Sequence, residues 1–276
     1  LGSAGFLLTG VTLMSHRFAS ADALLNRMTA PWRLALEARA PWEHAAMIAA
    51  QPLLALTPRG DGHPVLVLPL MFGSDLSTLP LRTFLTGRGY AASAWDLGLN
   101  LGPRSGVFDA CLARLQALNQ GHGRRVSLIG WSLGGLYARA LALSAPDAVR
   151  MVISLGTPIS ADPPPAQLWR SYAQLTGDSM GLPEGLGALD RPLAVPATSI
   201  YSRSDGIVPW QQSIEPAGPS CESVEVISSH LGLAAHPLCL DVIADRLAQP
   251  EGHWRPFERC GLRSLLFPSP SAGAGG

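Results

Sequence analysis

The chain has 276 residues, 47% hydrophobic and 14% charged, and its twenty basic and twenty acidic residues cancel to zero net charge. A chain of this size buries a large core in one α/β domain or two small ones. No basic run extends beyond Arg124-Arg125, so nucleic-acid binding has no electrostatic footprint. Lysine is absent, which excludes Schiff-base or general-base chemistry at that residue.

Residues 1–60 read as a helical segment. Pro31, Pro41 and Pro52 recur about every ten residues, and proline is tolerated in a helix's first turn, so helices are expected at 32–40 and 42–50. From Pro64 the pattern becomes α/β alternation. Strands are expected at 65–68, 91–95, 126–129, 151–155, 198–201 and 224–227, and helices at 79–86, 107–118, 133–143 and 238–247. Short, continuous apolar strands separated by helices imply a mostly parallel sheet covered on both faces, here spanning 61–250. Residues 158–196, with Pro163-Pro164-Pro165 and several glycines, interrupt the alternation and read as a small cap inserted over the carboxyl ends of the strands. Residues 251–276 form a tail, and from Gly261 onward its Pro, Ala and Gly content reads as disordered.

Four cysteines, Cys111, Cys221, Cys239 and Cys260, show no C-x-x-C spacing, which removes zinc and dithiol readings and leaves free buried thiols as the expectation. Sequence leaves Cys221–Cys260 and Cys239–Cys260 pairings open. No apolar run reaches 18 residues, so no membrane-spanning helix is expected, and of the possible compartments the cytoplasm is preferred.

The chemistry concentrates at Gly130-Trp131-Ser132-Leu133-Gly134, between an apolar strand and a helical stretch. A tight strand–turn–helix lifts a serine Oγ clear of the backbone, and glycine at both flanks lets strand and helix approach. A serine hydroxyl needs a base, and the base needs an orienting carboxylate. Asp205 follows the fifth expected strand and His230 follows the sixth, giving the order Ser132, Asp205, His230. Asp205 also heads an Asp-Gly turn pair, and His236, before Pro237, is the rival base, better suited to capping a helix. The backbone N–H of Leu133 is one expected oxyanion donor. The N–H of Met71, in Pro69-Leu70-Met71-Phe72-Gly73, is the second, with Leu70 or Phe72 as alternatives.

With these residues in place, the chain resembles the bacterial esterase/lipase-like serine hydrolases of the α/β-hydrolase superfamily over roughly Gly62 to Leu247. Besides the serine turn, the likeness rests on Pro64-Val65-Leu66-Val67-Leu68-Pro69, on Gly89-Tyr90 with Trp95 and Asn100-Leu101-Gly102-Pro103, on 201–210, and on Ser229-His230-Leu231-Gly232. The resemblance implies an α/β-hydrolase fold, with Ser132 as nucleophile, Asp205 as acid, His230 as base, and Met71 and Leu133 as oxyanion donors. It implies no cofactor and no metal, and as partner a small-molecule or lipid ester, with membrane-surface contact and oligomeric state left open. Two positions depart from the subgroup: Leu70 stands where glycine is usual, and Leu99 where arginine is frequent. Ester hydrolysis is the leading expectation. The alternatives are acyl transfer by the same three residues and a non-catalytic binding module. Trp131, Met71-Phe72 and Leu168 with Trp169 suggest an apolar substrate portion.

Overall fold

A computed structural model describes residues 34–160 and 189–268. Among these, six parallel strands form one sheet: β1 Pro64–Leu68, β2 Ala91–Ala94, β3 Val126–Trp131, β4 Val149–Leu155, β5 Ala197–Tyr201 and β6 Cys221–Glu225. Their order is β2-β1-β3-β4-β5-β6. From β1 the chain moves outward to β2 and then returns to the far side of β1 as β3. The loops leaving β1 and β3 therefore diverge, and a crevice opens at their carboxyl ends, where open α/β sheets bind ligands.

The α-helices that lie wholly within these residues are α1 Ala40–Ala49, α2 Gln51–Leu54, α3 Leu79–Gly87, α4 Val107–His122, α5 Leu133–Ser144, α6 Pro237–Leu247 and α7 Arg263–Leu266. Residues within each buried strand alternate between two cores. Val65, Val67, Ile129 and Ile153 meet Leu81 and Leu85 of α3 and Leu240 and Ile243 of α6. Leu66, Leu68, Leu128 and Val152 face the other way, onto Leu115 of α4 and Leu136 and Ala140 of α5. A strand buried on both faces needs no polar alternation, which is why these segments read as unbroken apolar runs.

Two expectations shift. The sixth strand starts at Cys221, three residues early, because it pairs in register with β5 from Ala197↔Cys221 to Tyr201↔Glu225. It is an edge strand whose Glu222 receives Arg246 and the Phe257 amide, so its polar residues are used and hydropathy alone placed it too late. Residues 261–268 are also structured: Arg263 pairs with Asp241 and Asp245 of α6, and Phe267 packs edge-on against Phe257 at 4.9 Å. The disorder expected from Gly261 does not hold over that stretch. The four cysteines are free thiols, as expected; Cys111 and Cys239 are buried, Cys221 is half-buried and Cys260 is exposed. The cap expected at 158–196 lies outside the described residues over 161–188, as do the N-terminal segment up to 33 and the tail from 269.

The far end of that insertion is tied down by a buried charge pair. Arg139 of α5 and Glu215 form a salt bridge with almost no exposed side-chain surface, and Arg139 also donates to the carbonyls of Leu189 (2.8 Å) and Arg191 (2.7 Å). Removing one member leaves the other charged, buried and alone. Arg139→Ala is expected to cost about 3–5 kcal/mol in urea unfolding, more than twice the loss expected when both members are replaced by apolar residues of similar volume.

Candidate active site

Ser132 follows β3 directly and has φ 54° and ψ −118°, a left-handed backbone that a β-carbon resists. Such a residue costs on the order of 1–3 kcal/mol and persists only where its surroundings over-determine it. Here the Ser132 amide donates to the Leu155 carbonyl (2.8 Å), while its own carbonyl accepts from the Gly135 amide and from Thr157 Oγ1, both at 3.0 Å. The flanking glycines are required by contact. A β-carbon on Gly130 would sit 2.3 Å from the Gly134 carbonyl oxygen, and one on Gly134 would sit 2.3 Å from the Leu68 carbonyl oxygen.

Asp205 and His230 meet in the loops after β5 and β6. His230 Nδ1 lies 2.6 Å from Asp205 Oδ2, and both side chains are all but fully buried. The other carboxylate oxygen, Oδ1, accepts from the amides of Ile207 (2.8 Å) and Val208 (2.7 Å), so the carboxylate is oriented by its own loop. Burial pushes the imidazole pKa down. The charge and hydrogen bond of Asp205, with the nearby charge of Glu37, outweigh it and hold His230 above the usual 6.5. With Nδ1 committed to Asp205, Nε2 is the nitrogen left for proton exchange.

The serine turn and the histidine loop are joined by Trp131, whose indole N–H donates to the His230 carbonyl at 3.0 Å. Gly156, one residue beyond the carbonyl that holds the Ser132 amide, underlies the pair: a β-carbon there would lie 3.0 Å from both Asp205 Oδ2 and His230 Nδ1. Among the described residues no hydrogen bond within 3.5 Å joins Ser132 Oγ to His230. Catalytic contacts of this kind are often long before substrate binds and tighten in the complex. The structure thus brings Asp205 and His230 into contact and ties the Ser132 turn to them through Trp131 and through Leu155, the neighbour of Gly156. His236 instead accepts the Leu238 amide at 3.3 Å as the cap of α6.

In the loop after β1, the Phe72 amide donates to the Asn100 carbonyl (2.7 Å), which removes Phe72 as a free donor. The amides of Met71 and Leu133 donate to no acceptor among the described residues. Asn100 is fully buried and also fixes the loop through Nδ2 to the Pro69 carbonyl at 2.8 Å. Leu70, which stands where glycine is usual, has no positive φ; Phe72, two residues later, does, at 62°. Leu99 is half exposed.

Sequence reading missed three residues of the N-terminal segment that reach both loops. Glu37 Oε1 accepts the amides of Gly206 (2.8 Å) and His230 (2.9 Å), and Oε2 that of Leu231 (2.8 Å). Glu43 accepts the Ser229 amide (2.8 Å) and hydroxyl, and Arg39 Nη2 donates to the Ser204 carbonyl and hydroxyl. The one available signal was a pair of carboxylates six residues apart, with Arg39 between them, in a largely apolar helical stretch.

A second Asp–His–Ser alignment marks the opposite end of the sheet. Asp61 Oδ1 lies 2.6 Å from His63 Nδ1, and His63 Nε2 lies 2.9 Å from Ser127 Oγ. His63 and Ser127 are completely buried, and burial, the largest influence, holds His63 below its usual value. Arg124 and Arg150 both reach Asp61, so the cluster serves as a structural pin. No group of residues suited to a metal ion exists among the described residues, and no helix there is long and apolar enough to cross a membrane.

Residues 103–183 match a family model described as alpha/beta hydrolase fold. Among solved structures the chain is similar to an alpha/beta superfamily hydrolase from Oenococcus oeni PSU-1, at 16% identity and TM-score 0.51, over 67% of this chain and 91% of that one. It is similar to Paleococcus ferrophilus monoacylglycerol lipase at 14% identity and TM-score 0.52, over 68% and 96%. Against Aspergillus fumigatus lipase B the identity is 18% and the TM-score 0.52, over 69% and 53%. No protein of curated function matches by sequence. At these identities the likeness is one of fold.

The contact argument for the serine turn yields a direct test. Gly134→Ala forces α5 away from β1, and overpacking of this kind costs about 1–3 kcal/mol. A lowered thermal midpoint with unchanged secondary structure by circular dichroism is expected; an unchanged midpoint would mean the close approach is not needed.

Proposed function

We propose that this chain, which has the α/β-hydrolase fold, is a serine hydrolase that cleaves carboxylic esters through an acyl-enzyme. The observation that carries the proposal is the buried Asp205–His230 pair beside the strained Ser132 turn. Ser132 Oγ attacks the ester carbonyl while His230 Nε2 takes its proton, and Asp205 stabilises the imidazolium that forms. The negative charge that builds on the carbonyl oxygen is met by the amides of Leu133 and Met71, two donors with no acceptor of their own among the described residues. The tetrahedral intermediate collapses, the C–O bond to the alcohol breaks, and the alcohol leaves with the proton from His230. Water then repeats the sequence: His230 takes its proton, the hydroxyl adds to the acyl carbon, and Ser132 is released with the acid.

The apolar substrate preference rests on only one of the residues the sequence suggested. Trp131 is buried and occupied in bonding His230, so it is not offered as a substrate contact. Phe72, 41% exposed on the loop that supplies Met71, is the apolar side chain placed to meet an acyl or alcohol group.

A fluorophosphonate probe is expected to label wild type at Ser132 and to leave Ser132→Ala untouched; labelling at any other serine would sink the assignment. Asp205→Asn is expected to lower turnover of p-nitrophenyl esters by about 10⁴-fold, and His230→Ala by a comparable factor. The pH dependence has a definite sign. A protonated imidazole cannot accept the serine proton, and the His230 pKa is raised, so kcat/KM should rise with pH through a midpoint above 6.5. A midpoint below 6.5 would contradict the environment described for His230.

A further inference from the structure

We infer that Glu37 is a positioning residue that fixes the place of His230 by holding the acid loop and the histidine loop on one carboxylate. The inference rests on the reading of Ser132, Asp205 and His230 given above and names the control of that site.

The geometry is specific. Three backbone N–H groups converge on the Glu37 carboxylate: Gly206, the neighbour of Asp205, then His230 itself, then Leu231. Consecutive amides aimed at one anion form a concave nest, and hydrogen bonds to an ionised acceptor are stronger than neutral ones. One buried side chain, 169 and 193 residues away in sequence from its partners, thus fixes the spacing between the residues on either side of the Asp–His hydrogen bond. A shift of this loop by a fraction of an ångström would misalign Nε2 relative to Ser132 without touching either side chain.

The neighbouring contacts support the same function. Glu43 takes the Ser229 amide and hydroxyl immediately before His230, and Arg39 grips Ser204 immediately before Asp205. Space is reserved for this: a β-carbon on Gly232 would lie 1.7 Å from Glu43 Oε2, so a larger residue at 232 would expel the glutamate. The charged groups around His230 are Asp205 from the loop after β5, Glu37, and further out Arg39 and Glu43, with His236 at the start of α6. Of these, Asp205 and Glu37 hold the imidazole pKa up, against burial that lowers it.

Two substitutions separate positioning from plain stability. Glu37→Gln keeps the shape and removes the charge, and its amide group meets the Leu231 N–H donor to donor. Glu37→Asp keeps the charge and withdraws it by one methylene. The first measurement is the His230 titration midpoint by imidazole NMR, which is readable whether or not the protein turns over any ester. The second is kcat and KM per phosphonate-titrated site.

Glu37→Gln should lower the midpoint, with the acid limb of kcat/KM moving with it. Glu37→Asp should keep the midpoint near wild type. In both, kcat should fall about tenfold or more, the loss for about 1.4 kcal/mol of transition-state stabilisation, with KM nearly unchanged. Folded variants with wild-type midpoints and wild-type kcat per site would overturn the inference, even at a lowered thermal midpoint, because Glu37 would then only stabilise the fold. If Glu37→Gln does not fold, Glu37→Asp decides alone: unchanged kcat per site rejects positioning. Failure of the wild type on every ester, with a His230 midpoint that still drops in Glu37→Gln, would reject ester hydrolysis and leave this inference standing.

Discussion

The hydrogen bond between Asp205 and His230 is the contact on which the arrangement at the carboxyl edge of the sheet depends. It places a carboxylate and an imidazole together in an almost fully buried space, where either group alone would be expensive. The surrounding backbone makes this tolerable. Two amides of its own loop orient Asp205, and the loop of His230 is bound from outside by carboxylates of the N-terminal segment. The parallel sheet contributes direction: every strand delivers its following loop to the same edge, so the loops that carry residues 71, 132, 205 and 230 lie at one edge without any local sequence relation.

Much of this was legible in the sequence, and the reasons are physical. Strands β1, β3 and β4 are buried on both faces and carry no competing polar demands, so their apolar runs mark them within a residue or two. Ser132 was legible because strand and helix can approach within van der Waals limits only if Gly130 and Gly134 lack side chains. Legibility fails where partners are backbone groups. The amides of Gly206, His230 and Leu231 leave no residue-type signature, so nothing in the sequence pairs them with Glu37. Trp131 likewise read as an apolar surface for substrate, and its indole N–H binding a carbonyl 99 residues away became visible only in three dimensions. Strand β6 was displaced because an edge strand spends polar residues on neighbours that hydropathy does not register.

The two Asp–His pairs differ in their surroundings. Asp61, His63 and Ser127 are lined up by hydrogen bonds, yet two arginines reach the acid and burial holds the imidazole below its usual basicity. Asp205 and His230 sit in loops tied to the strained Ser132 turn through Trp131, and carboxylates hold the imidazole up. Electrostatic surroundings and position in the sheet, more than the bonded row, separate the structural pin at Asp61 from the site proposed for proton transfer at His230.

The most direct measurement is a crystal structure of the protein after reaction with a phosphonate that mimics the tetrahedral intermediate. The account requires phosphorus bonded to Ser132 Oγ, a phosphonyl oxygen about 3 Å from the amides of Leu133 and Met71, and His230 Nε2 within about 3.2 Å of an oxygen on phosphorus. An adduct with the phosphonyl oxygen turned away from both amides, or with the imidazole still out of reach of every oxygen on phosphorus, would contradict it.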